Sequence, residues 1–145
     1  MIEINAKRLN ERLAQLGRFG RTPDGGVTRY ALSPEEKAAT DTVAAWMQAA
    51  GLQVRRDAVG NLFGRLEGRR PGPVVLTGSH LDSVPNGGHY DGPAGVLTAL
   101  EVVESLREQG LTPELPIEVV SFIGAKVWLP CGSSFLMKSP PSQKS

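Results

Sequence analysis

The sequence is poor in the features that would indicate a disulfide scaffold, a membrane span or a nucleic-acid-binding surface. Its 145 residues include one cysteine, Cys131, which has no partner for an internal disulfide and fits a reducing compartment. Sixteen basic and fifteen acidic residues leave a net charge of +1, so no strong field favours nucleic acid or an anionic membrane. No apolar run approaches the roughly 18 residues of a spanning helix. We therefore expect a cytoplasmic protein with no nucleic-acid or membrane partner.

What is present is typical of one ordinary globular domain. Apolar residues make up 40% of the chain and charged residues 21%, which is enough apolar material for a real core. The first fifteen residues mix charges throughout and contain no apolar segment of the kind found in secretory signals.

Three stretches have the apolar spacing of amphipathic helices, at residues 4–17, 33–50 and 93–108. The second has a clear start, because Ser33 is a good N-cap and Glu36 lies where it would complete a capping box. Residues between the first two helices are rich in glycine, so we expect a long loop there.

Four stretches predict strands. "LQVRRDA" and "NLFGRLE" are joined by a short turn and indicate a hairpin. "PVVLTGSH" and "PIEVVSFIG" are continuous apolar runs of the kind found in strands buried on both faces. Strand, helix and strand across residues 73–124 form a βαβ unit. The sequence therefore predicts an α/β fold with a mainly parallel sheet flanked by helices.

The residues most suggestive of chemistry lie in "GSHLDSVPNGGHYDG", at 78–92. In a parallel α/β sheet, active sites form from loops that leave the carboxyl ends of strands. His80 and Asp82 lie two residues apart at such an end, so a neutral imidazole could bind metal while the carboxylate accepts from its other nitrogen. Asp91 precedes the next helix, and the glycine-rich turn could fold it back beside His80.

Purely structural interpretations stay open at this point. Asp91 could be a helix N-cap, His80 a buried core histidine, and the glycines a tight turn only. His89 is more typical of a solvated side chain beside a turn. Cys131 has no Cys or His near it at zinc-ligand spacing.

The same stretch, extended to "GSHLDSVPNGGHYDGPAGVLTALE", resembles the metal-binding segment of the M20 family of zinc-dependent hydrolases. Within this family, the "PNGG" insert resembles the amidase branch more than the peptidases. That branch contains N-carbamoyl-L-amino-acid hydrolases, β-ureidopropionases and allantoate amidohydrolases. Residues 25–39 and 57–68 also look like early segments of this branch, so the resemblance covers residues 4–124. The family pattern is H-x-D, a loop and D-G-x-x-G, which corresponds to His80, Asp82, Asp91, Gly92 and Gly95.

The resemblance implies a dinuclear metal site and an amide hydrolase. By resemblance His80 is a ligand of one divalent ion, Asp91 bridges two ions, and Asp82 is the catalytic residue that orients His80. Zinc, manganese and cobalt all suit such ligands. The implied reaction is hydrolysis of a linear amide or ureido C–N bond in a small molecule, such as an N-carbamoyl-L-amino acid. The family forms homodimers through a lid and dimerisation domain.

The agreement with the family stops abruptly after Gly124. Family members have two adjacent glutamates there, a general base and a metal ligand, whereas this chain has Ala125 and Lys126. We therefore expect a partial catalytic domain at 1–124, a tail at 125–145 that is out of frame or disordered, and no lid or dimerisation domain. Weak metal binding, no hydrolysis by this chain and an exposed apolar sheet edge would follow. A non-catalytic binding module and an M20-type peptidase or deacylase are the alternatives.

Overall fold

The computed structural model describes residues 2–125, which form three helices and one four-stranded sheet. The predictions for Cys131, for Lys126 and for the tail lie outside these residues. In chain order the elements are α1 (Ala6–Leu16), α2 (Pro34–Ala49), β1 (Gln53–Arg56), β2 (Leu62–Leu66), β3 (Val75–His80), α3 (Pro93–Glu108) and β4 (Ile117–Phe122). All seven predicted elements are therefore confirmed.

The sheet has the order β1-β2-β4-β3 and is mixed. β1 pairs antiparallel with β2, which confirms the predicted hairpin, and β2 pairs antiparallel with β4. Two of the three strand pairings within residues 2–125 are therefore antiparallel, so the sheet is mixed rather than mainly parallel as predicted. β3 and β4 pair in parallel, with His80 opposite Phe122 at their carboxyl ends. Since α3 connects these two strands, the predicted βαβ unit is confirmed and the α/β fold class with it.

The hydrophobic core lies between the helices and one face of the sheet. Gly64 on β2 lies against Met47 of α2, where a Cβ would approach the Met47 sulfur to 2.7 Å. Val119 of β4 is opposite Gly64 in the register and is fully buried. α3 packs on this same face through Leu97 and Leu100, which are also buried.

The start of α2 follows the predicted capping pattern only in part. The Ser33 side chain accepts a hydrogen bond from the Glu36 amide at 3.1 Å, as expected of an N-cap. The Glu36 carboxylate does not return to Ser33, because it accepts from the Thr40 hydroxyl at 2.6 Å instead. The Ser33 amide donates to the Tyr30 carbonyl.

The prediction that β3 is buried on both faces is wrong. β3 is the edge strand of the described sheet, and Val75 and Leu76 are 49% and 51% exposed. β4, by contrast, lies between two strands, and four of its six residues are buried. The apolar run of β3 thus forms an open edge, as expected if the sheet is incomplete.

A cluster of ion pairs joins α1 to α3. Arg8 donates from Nε to Glu101 at 2.8 Å and from Nη2 to the other carboxylate oxygen at 2.7 Å. Arg12 pairs with Glu104 at 2.5 Å. Glu101 is 1% exposed, so its charge depends on these hydrogen bonds.

Within residues 2–125, no helix combines the length and the apolar character that a membrane crossing requires.

Replacement of Glu101 by glutamine is expected to lower the free energy of unfolding at neutral pH by about 1.5–3 kcal/mol, because a charged hydrogen-bonded pair is lost. Burial works to raise the pKa of Glu101, but hydrogen bonds from Arg8, Ser105 and the Asn5 amide outweigh it, and the pKa lies below its ordinary value of 4.5. The lowered pKa stabilises the fold above about pH 4.5, and this contribution is lost as the pH falls through the folded-state pKa. Urea unfolding of both proteins between pH 7 and 3 measures the difference in unfolding free energy, which should shrink on acidification.

The control is E108Q, because Glu108 is a more exposed partner of Arg8. It should lower the free energy of unfolding by less than E101Q does. A pH-independent difference would contradict the assignment.

Lysine at position 76 is expected to prevent association through the β3 edge, since a charge on an open edge disfavours strand pairing. The unmodified chain should form concentration-dependent oligomers in light scattering, and L76K should remain monomeric. L111K is the matched control, because Leu111 is 43% exposed but lies outside the sheet. Dissociation by L111K as well, or a monomeric parent chain, would contradict this role of the edge.

Candidate metal centre

The predicted site residues lie at the carboxyl end of the parallel strand pair. His80 is the last residue of β3, and the loop that follows it carries Asp82 and returns to α3 through Asp91. This is the edge at which ligands bind in open α/β sheets. His80, Asp82 and Asp91 therefore lie at the end of the sheet that the strand and loop pattern predicts.

The His80 ring is held by the residue two positions further along the chain. Its Nδ1 lies 2.9 Å from the Asp82 backbone carbonyl oxygen and 3.4 Å from the Asp82 carboxylate oxygen Oδ1. A carbonyl oxygen only accepts, so Nδ1 carries a proton, and in the neutral imidazole Nε2 is then the unprotonated nitrogen. The carbonyl, rather than the carboxylate expected from the sequence, makes the shorter contact.

His80 and Asp82 differ in exposure. The His80 side chain is 12% exposed, whereas that of Asp82 is 1% exposed. His80 is thus accessible at the strand end, while Asp82 lies beneath it. This favours the metal-binding interpretation of His80 over that of a fully enclosed core histidine.

The alternative that Asp91 serves only as the N-cap of α3 is wrong. The N-cap is Gly92, with φ of 96°, and α3 has no side-chain cap hydrogen bond. A Cβ at residue 92 would lie 2.5 Å from the His80 carbonyl oxygen and 2.6 Å from its ring carbon Cε1. Only glycine fits both the dihedral angle and the space. The turn thus packs the Gly92 backbone against the His80 ring. Asp91, which directly precedes Gly92, is exposed.

The second glycine of D-G-x-x-G has a separate steric role. A Cβ at Gly95 would lie 2.7 Å from the Cβ of Ser79 on β3. Glycine therefore lets the first turn of α3 lie directly on the end of β3. The motif spacing follows from this packing, because residues 92 and 95 share one face of the helix start.

His80 and Asp91 are at most part of a metal site within the described residues. Over residues 2–125, no group of three or more His, Cys, Asp or Glu side chains is arranged to hold a metal ion. Structural zinc sites use four protein ligands and catalytic sites three. Ala125 lies three residues beyond Phe122 and is exposed.

Sequence reasoning missed the residue that holds the site loop in place, Arg29. It is 2% exposed, although it lies in the glycine-rich segment between α1 and α2. Burial lowers the pKa of Arg29 from its ordinary value, while the charges of Glu36 and Asp82 oppose this shift. Sequence alone gives no signal of this burial, because a single arginine in a polar loop is usually solvated.

His89 is half-buried rather than solvated. Its Nε2 lies 2.7 Å from the Gly25 carbonyl oxygen, and its ring packs against Gly17. Since that carbonyl can only accept, Nε2 of His89 carries the proton. His89 therefore links the site loop to the glycine-rich segment.

The two histidines are expected to hold opposite tautomers. At pH 8, His80 should be the Nδ1–H form and His89 the Nε2–H form. Long-range ¹H–¹⁵N spectra of the imidazoles distinguish the two forms, and H80Q and H89Q assign the signals. Two identical tautomers would show that one of the carbonyl contacts does not form in solution.

The chain has clear relatives. The model of peptidase family M28 matches residues 61–145. The chain is 54% identical over 120 residues to an N-carbamoyl-L-amino acid amidohydrolase from Geobacillus stearothermophilus, covering 82% of this chain and 29% of that protein. It is 43% identical over 122 residues to the allantoate amidohydrolase of Escherichia coli, covering 83% and 30%. The chain thus spans about 30% of the length of these relatives.

A solved structure confirms the fold and its place in a longer domain. A hydantoinase/carbamoylase family amidase from Burkholderia ambifaria superimposes with a TM-score of 0.82 at 45% identity, covering 86% of this chain and 31% of the amidase. The described fold is the N-terminal part of the amidohydrolase catalytic domain. Divalent metal use is general in such metallopeptidase-like folds. The resemblance predicted from the H-x-D and D-G-x-x-G motifs is confirmed, and the chain belongs to peptidase family M28, as an M28/M20-like domain whose relatives are amidohydrolases.

Proposed function

We propose that this chain provides the N-terminal half-site of a metal-dependent amidohydrolase that cleaves a linear amide or ureido C–N bond. An N-carbamoyl-L-amino acid is the substrate type that the named relatives favour. The observation that carries the proposal is the packing of Gly92 against His80, which puts the start of α3 beside an imidazole whose Nε2 is unprotonated.

The proposed residue roles are those that the family resemblance implies, and the geometry of the described residues is compatible with them. His80 would bind a divalent ion through Nε2, and Asp91 would bind with its exposed carboxylate. Asp82 would orient His80 through its backbone carbonyl, with its carboxylate close by at 3.4 Å. When bound, such ions polarise the amide carbonyl and activate water. Zinc fits these ligands, as do manganese and cobalt.

The described residues supply only part of the chemistry that hydrolysis needs. Alanine at position 125 can neither take nor give a proton, and two ligands are too few for a catalytic zinc site. We place the end of the amidohydrolase-like part at residue 124. The alignments with the amidohydrolases are 120 and 122 residues long, which agrees with this boundary. The match to the M28 family model extends further, to residue 145. A cytoplasmic location belongs to the same proposal.

A peptidase or deacylase is the second candidate. The description of the matching family favours it. The relatives that share 43–54% of their aligned residues with this chain are named N-carbamoyl-L-amino acid and allantoate amidohydrolases, and this favours the amidohydrolase.

A chimera tests the proposed function directly. Residues 1–124 would replace the aligned N-terminal part of the Geobacillus amidohydrolase, whose remainder should supply the further ligands and the base that the family resemblance implies. We expect metal-dependent ammonia release from N-carbamoyl-L-methionine by the chimera and none by the 145-residue chain alone. His80→Ala and Asp91→Ala should each lower kcat/KM at least 100-fold, as loss of a metal ligand would.

His89→Gln is the matched control, because glutamine retains a donor for the Gly25 carbonyl and lies outside the proposed ligand set. It should keep most of the chimera's activity. An active H80A or D91A chimera would refute the ligand assignment. Faster cleavage of a dipeptide than of the carbamoyl compound would favour the peptidase instead.

A further inference from the structure

Arg29 is a buried cation whose side chain binds backbone carbonyl groups. Its Nε donates to the Leu81 carbonyl at 2.6 Å, and its Nη1 donates to the carbonyls of Leu16 and Phe19 at 2.7 and 3.0 Å. A planar guanidinium can serve several acceptors in fixed directions, which an ammonium group cannot. Arg29 therefore ties the end of α1 to the segment that follows His80.

The backbone of Arg29 holds the same segment from a second direction. Its carbonyl accepts from the Ser83 amide at 2.7 Å, and its amide donates to the Ser83 hydroxyl at 2.9 Å. That hydroxyl donates in turn to the Val27 carbonyl at 2.9 Å. Side chain and backbone together bind the residues on both sides of Asp82.

These contacts fix the acceptor that His80 uses. The Leu81 carbonyl belongs to the peptide group before Asp82, and the Ser83 amide to the one after it. The Asp82 carbonyl shares that second peptide group with the Ser83 amide, and it accepts from Nδ1 of His80 at 2.9 Å. Rotation of this peptide group would break the bond to Arg29 and the bond to His80 together.

We propose that Arg29 is a positioning residue for the metal centre, which fixes the peptide groups around Asp82 and thereby aims Nε2 of His80 at a divalent ion. The inference rests on the proposed function, in which His80 is a metal ligand. Arg29 itself does not contact the ion or the substrate. It acts through the Asp82 carbonyl.

Substitution of Arg29 by lysine tests this role, because the charge is retained and the directed donors are lost. Arg107→Lys is the matched control, since Arg107 also donates to a backbone carbonyl, that of Ala50, but lies near the other end of α3. Ser83→Ala is the second variant, which weakens the same connection without changing any charge. The His80 tautomer at pH 8, read against His89, and a Zn²⁺ titration of the ¹⁵N-labelled full chain are the two readouts.

The unmodified chain and R107K should keep His80 in the Nδ1–H form. R29K should show a mixture of tautomers at His80 and bind Zn²⁺ about 10–100-fold more weakly, as expected when a group that orients a ligand is lost. S83A should change both readouts in the same direction and by less. A purely structural role would lower stability and leave the tautomer of the folded protein unchanged.

A folded R29K with His80 still fully Nδ1–H and unchanged Zn²⁺ affinity would overturn the proposal. If R29K does not fold, S83A decides, and an unchanged S83A tautomer would likewise overturn it. If Zn²⁺ does not shift the His80 signals of the unmodified chain, the proposed ligand role fails, while the tautomer comparison still decides whether Arg29 positions His80.

Discussion

The candidate centre depends on the close approach of α3 to the end of β3. Gly92 and Gly95 allow it, since a side chain at either position would overlap with His80 or Ser79. Because of this approach, α3 starts beside the His80 imidazole. Asp91 directly precedes Gly92, the N-cap of this helix. The parallel pairing of β3 with β4 places the exit of β4 at the same edge. The steric requirement of two glycines therefore determines where ligands can meet.

The loop between β3 and α3 is held by contacts from a segment with no regular structure of its own. Arg29 binds it on both sides of Asp82. Further along, Val27 and Gly87 exchange two backbone hydrogen bonds at 2.9 and 2.7 Å, and His89 reaches the Gly25 carbonyl. The glycine-rich segment predicted as a long loop is thus the inner support of the site loop. Burying a cation there is costly, and the hydrogen bonds to carbonyl groups offset that cost.

The regular elements could be predicted from the sequence because each has a local cause. The apolar period of α3 and its proline and glycine boundaries gave Pro93–Glu108, the bounds the structure has. The H-x-D and D-G-x-x-G motifs pointed to His80, Asp82 and Asp91 through the family resemblance, and the roles of these residues stay a prediction. Arg29 could not be predicted, since its side chain binds carbonyl groups from two separate segments, residues 16–19 and Leu81. The exposure of β3 was also missed, because an apolar run does not reveal whether a neighbouring strand is present.

The central claim is that His80 offers Nε2, and Asp91 its carboxylate, to the same metal centre. The most direct measurement is the crystal structure of the chimera grown with zinc, with anomalous scattering recorded at the zinc edge. The account predicts an anomalous peak about 2.0–2.1 Å from Nε2 of His80, with the Asp91 carboxylate also bound and Nδ1 still on the Asp82 carbonyl. A zinc ion bound through Nδ1, or a zinc centre without His80 and Asp91, would contradict it.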